Sequence, residues 1–309
     1  MKPTNFKELI QAYLSSPSVY NLAPRTVSRY TKLSHTLLEI LNPNLTYTAD
    51  PASGKAISDA FYAKMKVPGA SNAKINDQKA HLNRLYTWGT ENYGVAYDSN
   101  PAIYMGNLRH EPKETNPFTK GNMLEIKDYM NSKYCKLRES EVIMANIMLF
   151  LFSTGMRPRE MMDLKTSDIV MDDNGKDKLI AIRGSKAREA NKVSRYLFVT
   201  EDVEQYINVA LEHRASRNNV ASDSLWVSVR GKQLTQRPLD ELFKRTLSKV
   251  GLPKKELYDL RRGCATNIIH DDRYGVTVAQ KQLGHKDLRT TMVYERLGKR
   301  EAARLFKGH

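Results

Sequence analysis

Residues 139–160 read ESEVIMANIMLFLFSTGMRPRE, and their reading decides the fold. From Val142 to Phe152 the run is eleven residues long, interrupted in its apolar character by Asn146. A helix with so little polar face belongs at the centre of a core, with other elements packed all round it. It is too short to cross a bilayer, which takes about 20 apolar residues. Gly155 ends this helix, expected over Glu139–Ser153, just before Arg157, Arg159 and Glu160.

Outward from the helix, Thr119–Asn131 precedes it with a helical pattern. Behind it, Asp202–Arg214, Leu239–Val250, Arg262–His270 and Val276–Leu283 read as helices, as do Arg289–Tyr294 and the tail Lys299–Phe306. Asp172-Asp173-Asn174-Gly175 signals a turn, and Leu179–Arg183 and Arg195–Val199 alternate or run apolar as strands do. The expected fold class is mainly α with a small antiparallel β-sheet (α+β).

Toward the N-terminus, Phe6, Leu9, Ile10, Tyr13 and Leu14 fall at helical spacing behind Thr4 as a cap. A loop from Ser15 to Ala23 leads to Pro24 at the first position of a second helix, whose apolar face holds Val27, Tyr30, Leu37, Leu38 and Leu41. After a loop from Asn42 to Gly54, helices return at Ile57–Lys66 and Asn72–Asn92, the second burying Ile75, Leu82, Leu85 and Tyr86. Asn100-Pro101 closes this region. The polar stretch from Arg109, with Pro112 and Pro117, has linker chemistry. The expected division is a helical domain in residues 1–104, a linker in 105–117 and a second domain in 118–309.

The 309 residues hold 49 Lys and Arg against 34 Asp and Glu, a net charge of +15. Residues 1–116 carry 13 basic and 9 acidic side chains (+4), and residues 117–309 carry 36 and 25 (+11). A surplus of this sign in both parts points to a polyanion, nucleic acid before an anionic membrane, held between two clamp halves. Met1-Lys2-Pro3-Thr4-Asn5 begins no apolar signal core, and Cys135 and Cys264 are too few for a disulfide framework. A reducing, cytoplasmic setting is expected. No GxxxxGK[ST] loop offers a cradle for a nucleotide. His270-Asp271-Asp272 lacks a second cluster to complete a metal site and reads as solvated loop.

Four islands stand out in the second part. They are Thr154-Gly155-Met156-Arg157-Pro158-Arg159-Glu160, Gly184-Ser185-Lys186, Tyr258-Asp259-Leu260-Arg261, and Leu283-Gly284-His285 with Tyr294 nine residues after the histidine. In this order and spacing they resemble the tyrosine recombinase (phage integrase) family. Filler matches too, in Leu164, Ser167-Asp168-Ile169 and Thr290-Thr291, so that the likeness spans residues 117–296. The resemblance implies a helical core-binding domain and a catalytic tyrosine-recombinase domain, together forming a C-shaped clamp on DNA. It implies catalytic roles for Arg157, Lys186, Tyr258, Arg261, His285 and Tyr294, with Glu160 behind them orienting the Arg and His groups. No cofactor or metal is implied. No additional arm-binding domain is expected before Phe6.

The chemistry asks for these residue types. Two guanidinium forks, Arg157 and Arg261, suit the non-bridging oxygens of a phosphodiester better than ammonium groups do. Tyr294, a phenol with a reference pKa near 10, needs a cationic site to act as a nucleophile. In family terms it forms a 3′-phosphotyrosyl link and frees a 5′-hydroxyl, which conserves the bond energy for resealing without ATP. Lys186 matches the general acid for the departing oxygen, with Lys192 as the alternative on the same basic stretch. Tyr258 departs from the family pattern: a His-x-x-Arg box has histidine there, and a phenol donates a hydrogen bond but carries no positive charge. Arg25, Arg29, Lys74, Arg84, Arg188 and Lys192 are DNA-binding candidates, among them the basic N-terminal helices that would form the opposite wall.

The expected function is site-specific recombination of double-stranded DNA, for integration or excision of a phage or mobile element. Four protomers would assemble on two sites, helped by a directionality factor or a host DNA-bending protein, with no membrane partner. The alternatives are a chromosome- or plasmid-dimer resolvase of the same chemistry, a relaxing enzyme of type IB topoisomerase character, and a DNA-binding protein that has lost catalysis.

Overall fold

A computed structural model describes residues 3–41, 51–66, 71–94, 100–109, 116–133, 137–183, 192–217, 220, 222–271, 274–285 and 287–292. The chain separates into two compact units, residues 1–113 and 114–309.

In the second unit the apolar run forms α7 (Glu139–Thr154), in which every residue from Ile143 to Phe152 is buried. Four helices pack on it: α6 (Lys120–Lys133), α9 (Glu201–Ala215), α10 (Gln236–Val250) and α11 (Leu257–Ile269). This all-round packing is what an apolar helix without a polar face requires. Leaving α7, the chain makes the short helix α8 (Pro158–Asp163), and α12 (Val276–Leu283) packs against α11. Among the described residues the sheet has three antiparallel strands in the order β1 (Ile169–Met171), β2 (Lys178–Arg183), β3 (Val193–Phe198). Ile180, Ile182 and Leu197 put one face of the sheet into the core, while Tyr196 and Phe198 point outward. At three residues, β1 is too short to show the alternation by which the other two strands were legible.

The first unit gathers α1 (Phe6–Leu14), α2 (Pro17–Tyr20), α3 (Pro24–Ile40), α4 (Pro51–Met65) and α5 (Asn72–Tyr93) around a core of its own. Ile75, Leu82, Leu85 and Tyr86 are buried on α5, as their spacing predicts. A single 3₁₀ turn, Pro101–Tyr104, follows Asn100 and packs on α4 and α5.

Local chemistry moves several boundaries from where the sequence puts them. Asn5, not Thr4, caps α1: its Oδ1 accepts the Glu8 N–H at 2.9 Å, while the Glu8 carboxylate turns back to accept from the Thr4 N–H and hydroxyl. The expected loop from Ser15 to Ala23 contains the helical turn α2, opened by Pro17 in its first turn. Likewise α4 begins at Pro51 rather than near Ile57, a position that suits proline. The largest shift is at α11, expected from Arg262 but beginning at Leu257. The Asp259 carboxylate accepts the Glu256 N–H at 2.7 Å and so caps the helix early, which places Tyr258 and Arg261 on one helical face. Residues 288–292 are helical, and the tail Lys299–Phe306 lies outside the described residues. Among the described residues no helix is long and apolar enough to cross a membrane.

Candidate active site

The site starts where the core helix ends. A side chain at Gly155 would bring its Cβ within 2.9 Å of both Cys264 Sγ and Leu283 Cδ2, so α7, α11 and α12 can meet here only across a glycine. The Gly155 carbonyl accepts a hydrogen bond from Arg261 Nη1 at 2.6 Å. Arg157 then caps α8, with Pro158 in the first turn and Glu160 three residues on. The Glu160 carboxylate accepts the Arg157 backbone N–H at 2.9 Å and its Nη1 at 2.7 Å. Sequence proximity alone thus brings one arginine and one carboxylate together.

A second arginine arrives from the sheet. Arg195 on β3 forks onto Glu160, Nη1 to Oε1 at 3.1 Å and Nη2 to Oε2 at 2.8 Å, and its Nε donates to the Gln282 carbonyl at 3.2 Å. The Glu160 side chain is 6% exposed, and burial alone would raise its pKa. The hydrogen bonds and charge of Arg195, with those from Arg157, outweigh burial and hold the carboxyl at about 2.

A third arginine, Arg261, is fully buried. Besides Gly155, it donates through Nη2 to the Leu283 carbonyl at 2.7 Å and to His285 Nε2 at 3.0 Å, while among the described residues its Nε has no hydrogen-bond partner. A guanidinium only donates, so His285 Nε2 must be the acceptor and Nδ1 carries the proton. Nδ1 faces Thr291 Oγ1 at 2.8 Å. Burial, then the charges of Arg261, Arg157 and Arg195, push the His285 pKa down to about 4 against the opposing pull of Glu160. His285 is a neutral imidazole at pH 7. Arg261 is itself made less basic by burial and by the nearby charge of Arg157.

The arrangement therefore places Arg157, Glu160, Arg261 and His285 together, with Tyr258 half-buried one turn before Arg261 and its ring beneath the Arg262 guanidinium at 5.4 Å. Among the described residues, three guanidinium groups here face one carboxylate. In a partly buried site that surplus is an anion-binding field, and Arg157, its side chain 36% exposed, is the arginine open to a ligand. Lys186, Arg188 and Tyr294 lie outside the described residues. Lys192 is exposed just ahead of β3. In the other unit Arg25 and Lys74 are exposed, Arg29 pairs with Asp77, and Arg84 lies over the Tyr30 ring at 4.8 Å.

Sequence reading passed over two residues, Arg195 and Thr291. Arg195 shares its strand face with the buried Leu197 while Ser194, Tyr196 and Phe198 face outward. An arginine on the buried face of a strand was the available signal. Thr291, fully buried, had none beyond its place in the filler.

Comparison with known proteins agrees with the fold. The tyrosine recombinase XerD of Oceanobacillus iheyensis is 23% identical over 301 residues, which is 93% of each chain. The tyrosine recombinase XerC of Lactobacillus leichmannii is 25% identical over 167 residues, 53% of each. Among solved structures, the Tn1549 transposon integrase in complex with a circular intermediate DNA superposes with a TM-score of 0.73 at 16% identity, covering 98% of this chain and 100% of that one. A lambda integrase dimer bound to a COC′ core site gives 0.68 at 14% identity, covering 94% and 95%. The model of the phage integrase family matches residues 116–301, and the chain belongs to that family of tyrosine recombinases, enzymes that cut and rejoin DNA.

Proposed function

We propose that this chain carries out site-specific recombination through Tyr294, integrating or excising a phage or mobile element. The observation that supports it most is the gathering of Arg157, Arg195 and Arg261 around one carboxylate, a cationic surplus suited to a phosphodiester. Arg157 and Arg261 neutralise the non-bridging oxygens. Arg157 does so through its exposed fork, and Arg261, itself buried, through its charge. The Tyr294 oxygen, its phenolic proton passed to water, bonds to phosphorus and the bond to the 5′-oxygen breaks; Lys186, or else Lys192, supplies the proton that oxygen takes. The reverse attack by a 5′-hydroxyl releases the tyrosine and rejoins DNA. His285 enters as a neutral imidazole; burial and then the cationic field keep its pKa low, and an arriving phosphate offsets the second of these. Tyr258, where the family pattern has histidine, is a hydrogen-bond donor to the same phosphate. The helical unit, with Arg25 and Lys74, grips the duplex, and four protomers on two sites exchange strands in the bacterial cytoplasm, with accessory DNA-bending or directionality proteins.

A second reading, dimer resolution, is favoured by the XerD relative that matches along nearly the whole chain. One experiment addresses both. Purified protein is mixed with fragmented DNA from its own source, denatured, and the covalent adducts are sequenced and mapped by mass spectrometry. Adducts through Tyr294 at repeats flanking its own gene support integration; a single chromosomal site elsewhere supports resolution. No adduct, or equal adduct from Tyr294→Phe, overturns the tyrosyl mechanism.

A further inference from the structure

Arg195 belongs to none of the four sequence islands, yet it ties three of the structural pieces that carry them. From β3 it reaches both oxygens of Glu160, the residue that caps and holds Arg157. Through Nε it bonds the Gln282 carbonyl, near the end of α12 from which His285 projects. Its aliphatic stem fills the space above Gly284, where an added Cβ would come within 2.7 Å of Arg195 Cδ. The strand itself follows the basic connection that contains Lys186 and Lys192.

Three of its five N–H donors are committed to protein acceptors, and its side chain is 12% exposed. That is poor equipment for receiving DNA and good equipment for holding neighbours still. We infer that Arg195 is a positioning residue for strand cleavage, fixing Glu160 and hence the direction of the Arg157 fork, and anchoring the chain just before His285. The inference rests on the proposed cleavage reaction. A lysine at this place keeps the charge beside Glu160 but cannot form two parallel bonds and a third in another direction.

The test uses the full chain and a nicked version of the DNA site recovered above, measuring DNA affinity, single-turnover adduct formation and thermal melting. Arg195→Lys is expected to bind DNA within about twofold of the unaltered protein yet form adduct roughly 100-fold more slowly, the size of effect that a small misplacement of catalytic groups produces. Glu160→Gln should slow adduct formation comparably. The double variant should be no slower than the slower single one, since both act through one contact.

A pH profile adds a readout that general loosening would not give. Glu160 is faced by Arg157, Arg195, Arg261 and His285, and in the unaltered protein it stays ionised far below pH 5. Arg195→Lys should therefore acquire an acid limb that the double variant with Glu160→Gln lacks. If Arg195→Lys melts below the assay temperature, Glu160→Asp draws the carboxylate back from both arginines while leaving them intact, and should show the same slow cleavage with normal binding. Cleavage at the unaltered rate in the folded variants, full additivity, or affinity falling in step with cleavage overturns the inference. Absence of adduct from the unaltered protein instead overturns the cleavage mechanism, and this role with it.

Discussion

In the unit of residues 1–113, Arg29 reaches Asp77 and Arg84 lies over Tyr30, so these cations meet a partner at an exposed surface. In the unit of residues 114–309, Arg157, Arg195 and Arg261 are drawn inward around Glu160. A surface pair is screened by water and ions and contributes about 0–1 kcal/mol. Buried guanidinium groups in excess of their carboxylates hold a field that water does not screen, and an anion relieves it. The sign of the net charge is the same in both units; its placement differs, at an exposed surface in the first and gathered around a buried carboxylate in the second.

That contrast breaks most easily at Arg261. Replacing it by Met leaves the Gly155 and Leu283 carbonyls without their donor and removes the partner of His285 Nε2. Unsatisfied buried acceptors cost about 1–3 kcal/mol each, so Arg261→Met should lose roughly 3–5 kcal/mol in urea unfolding. Adduct formation should fall about 1000-fold, as when a donor to a developing anion is removed. Arg29→Ala, by comparison, should change stability by about 1 kcal/mol or less and lower DNA affinity modestly. Equal losses in the two variants would erase the distinction between the units.

The histidines sharpen it. His81 in the first unit is fully buried, 2.9 Å from Ser34 Oγ, with the rings of Tyr13 and Tyr30 beside it. Burial, then Arg84, pushes its pKa down to about 4, with Arg29 adding to the effect and Asp77 opposing it. His285 reaches the same value in the second unit from burial and three arginines. Both are less basic folded than unfolded, so the stability that each contributes is present above about pH 6.5 and is lost as pH falls toward 4. For His81 this amounts to up to about 3 kcal/mol at pH 4. The two should respond differently to a phosphate. In an NMR titration of the ring Cε1–H signals, an oligonucleotide site should move His285 up toward its ordinary value near 6.5 and leave His81 where it is. A His285 indifferent to DNA would mean that its cations do not face the phosphate.

The core and the helical elements were legible because their signals are local. The eleven-residue run of α7 and the spacing of Ile75, Leu82, Leu85 and Tyr86 on α5 needed no knowledge of what lies opposite. Arg157 and Glu160 were legible for the same reason, three residues apart across a helix start. Arg195 was not, because its partners Glu160 and Gln282 lie 35 and 87 residues away and only folding brings them close. The early start of α11 was missed because a capping contact three residues long sat inside a motif read for its chemistry. The state of His285 was likewise hidden: its tautomer follows from Arg261 and Thr291, neither adjacent in sequence.

Two glycines bring the comparison down to a single side chain. Gly94 ends α5 in the first unit with φ +63°, and Gly284 ends α12 in the second with φ +65°, so the backbone demand is the same. Alanine in this left-handed region costs about 1–2 kcal/mol at either place. The surroundings differ. Among the described residues nothing stands within 4 Å of a Cβ at Gly94, whereas at Gly284 that atom would come within 2.7 Å of Arg195 Cδ and 3.0 Å of its Nε. Arg195 cannot swing aside freely, since its guanidinium is forked onto Glu160. Gly94→Ala should therefore lose only the backbone cost and cleave DNA normally. Gly284→Ala should lose about 1 kcal/mol more, of the order of one disturbed hydrogen bond, and cleave roughly tenfold more slowly. Combining Gly284→Ala with Arg195→Lys separates crowding from backbone strain. If displacement of Arg195 is the cause, the slower cleavage is shared between the two changes rather than multiplied, while the backbone cost persists.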